Sequence, residues 1–148
     1  MKSKTVWSEK GERVIVLVLD EGEEAFEAIT AFARQADLSA ASLTAIGAFS
    51  SATVGWFDLE TKTYVPIEVE QQCEALSLLG DVALGDDGQA SLHIHAVVGL
   101  RDGSTRGGHL LKAVVRPTLE VVLTETPAHL RRRKRPEIGA ALIDLAAD

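Results

Sequence analysis

Cysteine, aromatic residues, positive charge and long apolar runs are all scarce in this 148-residue chain, and each scarcity closes off a class of protein. The single cysteine, Cys73, excludes an internal disulfide, so the chain is not a disulfide-stapled secreted domain and a cytoplasmic setting is expected. Aromatic residues make up 5%, which leaves the core to aliphatic side chains. The longest clean apolar stretch, Val14 to Leu19, falls far short of the roughly 20 residues that cross a bilayer, so no membrane span is expected. The start, MKSKTVWSEKGERV, is charged throughout and lacks the apolar core of a signal peptide. A formal charge of −7 opposes non-specific attraction to nucleic acid, which depends on neutralising phosphates with Lys and Arg. No P-loop or dinucleotide fingerprint is present, and nothing resembling a nucleophile elbow surrounds Ser50 and Ser51.

What remains has the balance of a globular protein, 46% hydrophobic and 25% charged, without repeats, low-complexity segments or linkers, so one domain over residues 1–148 is expected. Val14 to Leu19 is β-branched and apolar on both faces, the pattern of a buried strand. Between Glu23 and Ala36, Ala25, Phe26, Ile29, Phe32 and Ala33 recur at spacings of three and four. This predicts a helix, with Glu23 and Glu24 at the positive end of its dipole. From Ser42 the period changes to two. A hairpin-like pair of extended segments through AFSSATVGWFD is predicted, then strands over Tyr64 to Glu70 and over Glu74 to Leu79, the latter bounded by Gly80. After the turn Gly85 to Gln89 comes Ala90 to Val98, and after another at Arg101 to Ser104 come Leu110 to Val115 and Leu119 to Thr124, separated by Pro117. Ile138 to Leu145 is a short strand or helix. The whole reads as a strand-rich meander with one principal helix.

The chemistry-bearing residues are His93 and His95 in SLHIHAVVG, and His109 behind the glycine pair of GGHLLKAVVRP. A strand points residues i and i+2 to the same face, so two imidazoles of H-x-H can converge on one ion. Three histidines with an open fourth position are a standard zinc arrangement. The bland alternative is that the pair sits on the more polar side of a half-buried strand. Glycines at 107 and 108 suit close backbone approach, a positive φ or a bulge. His129 lies apart from this pattern. Cys73 has no partner in sequence that would activate its thiol and reads as core packing. The run Arg131, Arg132, Arg133, Lys134, Arg135 before Pro136 reads as a solvated loop, with phosphate contact as the alternative.

Taken together, LTAIGAFSSATVGWFD, EALSLLGDVAL and LHIHAVVGLRDGSTRGGHLLKAVVRPTLEVVLTE span nearly the whole chain and resemble the PPC family, the plants and prokaryotes conserved domain also called DUF296. The resemblance implies an α+β domain, a mostly antiparallel sheet packed against one principal helix, assembling as a homotrimer. It also implies a three-histidine metal site, mapping onto His93, His95 and His109, with a divalent metal such as zinc. The fourth position would take water, a small anionic ligand or a carboxylate from a neighbouring chain. Metal-assisted hydrolysis is the only chemistry this suggests, and no reaction is assigned. Plant members of the family add R-G-R-P hooks for the minor groove of DNA. Here Arg133, Lys134, Arg135, Pro136 has lysine at the glycine position, and minor-groove entry is sterically tight. The alternative reading is a DNA-binding or transcription-related module that uses residues 131–135 and the trimer as a contact platform.

Overall fold

A computed structural model describes residues 1–146, which form nine strands and one helix. The helix α1 (Ala25–Gln35) begins where Glu24 turns its carboxylate back to accept from the N–H groups of Phe26 and Glu27. Uncapped helix N-termini leave such donors unsatisfied, so an acidic cap both fills them and faces the positive end of the helix dipole. The same carboxylate accepts from the N–H of Ala113, 2.8 Å away, and so pins the start of α1 to the sheet. Ala25, Ile29 and Ala33 form the buried face of the helix.

The strands β1 (Lys2–Glu9), β2 (Glu12–Leu19), β3 (Ala40–Asp58), β4 (Thr63–Val69), β5 (Cys73–Leu84), β6 (Ala90–Gly99) and β7 (Thr105–Glu125) make one sheet in the order β1-β2-β7-β6-β5-β3-β4, antiparallel throughout. An additional β7–β3 ladder closes β7, β6, β5 and β3 into a ring. The core fills that ring and the space under α1 with aliphatic residues such as Leu17, Ile29, Leu78, Ile94 and Leu119. Phe49 is the one aromatic side chain buried among the described residues. Cys73 is buried there too, in keeping with its reading as core packing. Arg13 closes the lower end, its guanidinium forked onto Glu125 and donating 3.0 Å to the carbonyl of Ala36. Among the described residues no helix is long and apolar enough to cross a membrane.

Four expectations need correction. The segment from Ala40 to Asp58 is one strand, not a hairpin-like pair. It is flanked by partners along its length and absorbs its small residues as register shifts at Ala45/Gly47, Gly47/Phe49 and Phe49/Ser51. β5 runs through Gly80 instead of ending there, because that glycine admits β6: a Cβ on it would lie 2.3 Å from the carbonyl oxygen of His93. β7 continues past Pro117, although its pairing with β3 does lapse between Val115 and Leu119, where the proline cannot donate. The N-terminal charged segment, to which no element was assigned from sequence, is the edge strand β1. The basic run is not a solvated loop: Arg132–Arg135 is β8, paired with β9 (Ala140–Ile143) in a separate hairpin, and the open choice between strand and helix at Ile138 to Leu145 resolves to a strand.

Replacing Glu24 with Ala removes the cap and strands the Ala113 donor; unfolding in urea should show a loss of about 1–2 kcal/mol.

Candidate metal centre

β6 presents alternate side chains to opposite faces. Leu92, Ile94, Ala96 and Val98 face the core, while His93 and His95 stand on the outer face. β7 crosses beside them so that His109 is paired with His95 on one edge and with Gly55 of β3 on the other. Such double pairing demands that backbones approach closely, and the glycine pair makes it possible: a Cβ on Gly108 would lie 2.6 Å from the carbonyl oxygen of Gly55, and one on Gly107 3.2 Å from that of Ala96. Neither glycine has a positive φ, so close approach is the reason both are there.

The three imidazoles offer one ligand atom each, all within 4.8 Å of one another. The Nε2 atoms of His93 and His95 are 3.2 Å apart. Two ring nitrogens at that distance either share a proton or direct their lone pairs at one cation. Zinc–nitrogen bonds of about 2.0–2.1 Å in a tetrahedron separate ligands by roughly 3.4 Å, so the donor set has the scale and chemistry of a tetrahedral site. Nδ1 of His109 and Nδ1 of His93 have partners of their own. His109 Nδ1 lies 3.3 Å from the hydroxyl of Tyr64, whose ring sits 4.6 Å from the imidazole, leaving Nε2 for an ion. His93 Nδ1 faces a carboxylate oxygen of Asp81 at 3.7 Å.

Protonation favours the same use. Burial, then the positive potential of His93, His95 and Arg132, depresses His109 to a pKa of about 4. Burial, then His93, lowers His95 as well. Both rings are therefore neutral near pH 7, the state in which imidazole binds metal. Burial raises Tyr64, so its phenol stays protonated and its oxygen accepts from the Nδ1–H that a ligating His109 must carry. Burial also pushes the Asp81 carboxyl up, but its contacts with His93 and Arg132 outweigh that and hold it below the usual carboxylate range.

Asp81, Tyr64 and Arg132 were absent from the sequence-based site. Asp81 had a signal, a lone acid in an apolar strand; Tyr64 had none. Three of the five cations of the basic run are met by carboxylates of the same chain. Arg132 is 5% exposed and donates to Asp81, Arg133 donates to Asp86 at 3.4 Å, and Arg135 to Asp144 at 3.2 Å. Residue His129 pairs with Ser39 at 2.7 Å, outside the histidine cluster.

The model of the Plants and Prokaryotes Conserved (PCC) domain matches residues 7–127. Among solved structures, a plant- and prokaryote-conserved protein of Pyrococcus horikoshii is 30% identical, with 91% of this chain and 93% of that one covered and a TM-score of 0.83. A metal-containing protein of Archaeoglobus fulgidus is 33% identical, covering 94% and 98%, with a TM-score of 0.81. A protein of Ralstonia eutropha, named as a candidate for DNA binding, is 30% identical, covering 88% and 90%, with a TM-score of 0.81. The bifunctional protein GlmU of a Synechococcus strain is 32% identical over 135 residues, 90% of this chain but 20% of that protein, so the chain spans about a fifth of that curated relative.

In metal-free protein the depressed histidines have a stability consequence. The unfolded chain protonates His109 near its ordinary value of 6.5, whereas the folded chain resists until about 4. Between those values the unfolded state binds more protons, so stability falls as pH falls through that window. Urea unfolding in excess chelator should show this slope, and His109→Gln should flatten it.

Proposed function

The chain belongs to the Plants and Prokaryotes Conserved domain family, and on that premise we propose that it is a homotrimeric metal-binding protein, with one divalent cation held in each chain by His93, His95 and His109. The observation that carries this reading is the convergence of three imidazole donors within 4.8 Å on one outer sheet face. Neutral nitrogen ligands at this spacing suit zinc. A bound ion would supply Lewis acidity at a fourth position open to a small anion, water or a neighbouring chain's carboxylate. The metal-containing relative from Archaeoglobus fulgidus supports the reading.

The trimer is supported by the surface around the site. Ile46, Leu79, Val97 and Val122 share the outer face with His95 and are 61%, 59%, 42% and 37% exposed. Leu79 lies directly beside His95, so the apolar area adjoins the metal centre. Adjoining apolar side chains on a sheet face mark an association surface, and further copies of this chain are the occupants the family resemblance implies. Protein purified without a nickel column should appear in native mass spectrometry at three times 15.8 kDa with one zinc per chain. The variant with all three histidines changed to Ala should lose the metal; metal retained there, or none in the unaltered protein, overturns the assignment.

A second reading, DNA contact through Arg131 to Arg135, draws on the Ralstonia eutropha relative. Against it stand the internal pairings of Arg132, Arg133 and Arg135. Phosphate contacts give affinity that falls steeply with salt. Titration with duplex DNA at several salt concentrations should show no such binding, and a steep salt slope lost on Arg133→Gln would restore this reading.

A further inference from the structure

The charged residue buried in the described chain, Arg132, comes from β8, outside the residues 7–127 that the family model matches. A guanidinium withdrawn from water is costly unless its donors are met by an anion and by carbonyl groups. Arg132 meets both conditions. It donates to Oδ1 of Asp81 and, at 3.2 Å, to the carbonyl oxygen of Ser91.

Asp81 is directly opposite His93 in the β5–β6 ladder. With Oδ1 taken by the arginine, Oδ2 is left facing His93 Nδ1 at 3.7 Å, while Nε2 of the same ring faces His95. A carboxylate on the far nitrogen of a ligating histidine fixes its tautomer and ring orientation and raises its basicity. The planar fork of arginine is suited to holding a carboxylate in one orientation.

The hairpin that carries Arg132 is itself anchored. The Leu84 N–H donates to the Leu130 carbonyl at 2.7 Å, the Leu130 N–H donates to the Ser39 carbonyl at 3.3 Å, and Leu84 bridges to Arg131. The arginine thus reaches Asp81 from a fixed base.

We propose that Asp81 and Arg132 are positioning residues of the histidine site, so that the C-terminal hairpin, through the chain Arg132 to Asp81 to His93, is an integral part of the metal centre. This rests on the metal-binding reading above. If the hairpin holds the site, binding at the site must in turn hold the hairpin, because coupling is reciprocal.

Zinc affinity, measured by competition with a chelating dye, should fall about 10–100-fold in Asp81→Asn. Arg132→Met should also weaken it, Arg132→Lys should restore part of the loss, and the double variant Asp81→Asn with Arg132→Met should be no weaker than Asp81→Asn alone. Arg133→Gln, on the outer side of the same hairpin, should bind as the unaltered protein does. Zinc should also slow amide exchange across residues 132–143 in the unaltered protein and not in Asp81→Asn. Should Arg132→Met fail to fold, Asp81→Asn and Arg132→Lys decide alone. Variants that lower the urea midpoint of the metal-free protein yet bind zinc with unchanged affinity reduce the pair to a structural ion bridge and overturn the proposal while leaving the metal site intact. An unaltered protein that takes up no zinc overturns both.

Discussion

Everything at the histidine cluster depends on β7 being paired along both edges at one residue. At His109 the strand has β6 on one side and β3 on the other, which closes the ring of strands and brings a residue fourteen positions further along the chain beside His95. A side chain on Gly108 would put its Cβ 2.6 Å from the carbonyl oxygen of Gly55, push β3 away and open the ring at that point. Backbone packing therefore sets the donor geometry before any side-chain preference acts. Strands that are hydrogen-bonded on both edges have little freedom to shift, and rigid elements hold ligand sets more tightly than loops do.

Electrostatics follows from the same closure. Burial, and then the positive potential of two neighbouring imidazoles and a buried guanidinium, depresses His109 to about 4. His95 and His109 thus give up protons readily and retain lone pairs for a cation. Asp81 is the counterweight. It supplies negative charge at the back of His93 while Arg132 occupies its other oxygen, so the charge is directed at one ring instead of being spread over the cluster. Tyr64 plays the neutral version of that part at His109.

Much of this was legible in sequence. Period-two alternation placed His93 and His95 on one face and Ile94 on the other, and the apolar spacing at Ala25, Ile29 and Ala33 located the helix to within two residues at each end. The quoted stretches carried the family, which the match over residues 7–127 bears out. Strand ends were misread at Gly80 and within Ala40 to Asp58 for one reason. Glycine and small residues mark either a turn or a place where another backbone comes close, and only the partner strand distinguishes the two. Tyr64 was invisible because its role depends on β4 lying against β3 opposite Phe57, a register that no local pattern encodes.

The basic run shows the same limit from the side of charge. Five cations in sequence suggest a field that reaches outward, yet Asp81, Asp86 and Asp144 fold back onto Arg132, Arg133 and Arg135. A phosphate approaching those three would have to displace carboxylates already in place, and for Arg132 it would also have to enter a buried site. The net charge of −7 adds a repulsive field to that competition. A stretch of sequence that looks like a nucleic-acid contact thus becomes, once paired, a means of holding a hairpin beside a histidine. The sign of a charge run says what it attracts, and the fold decides whether that partner is already inside the molecule.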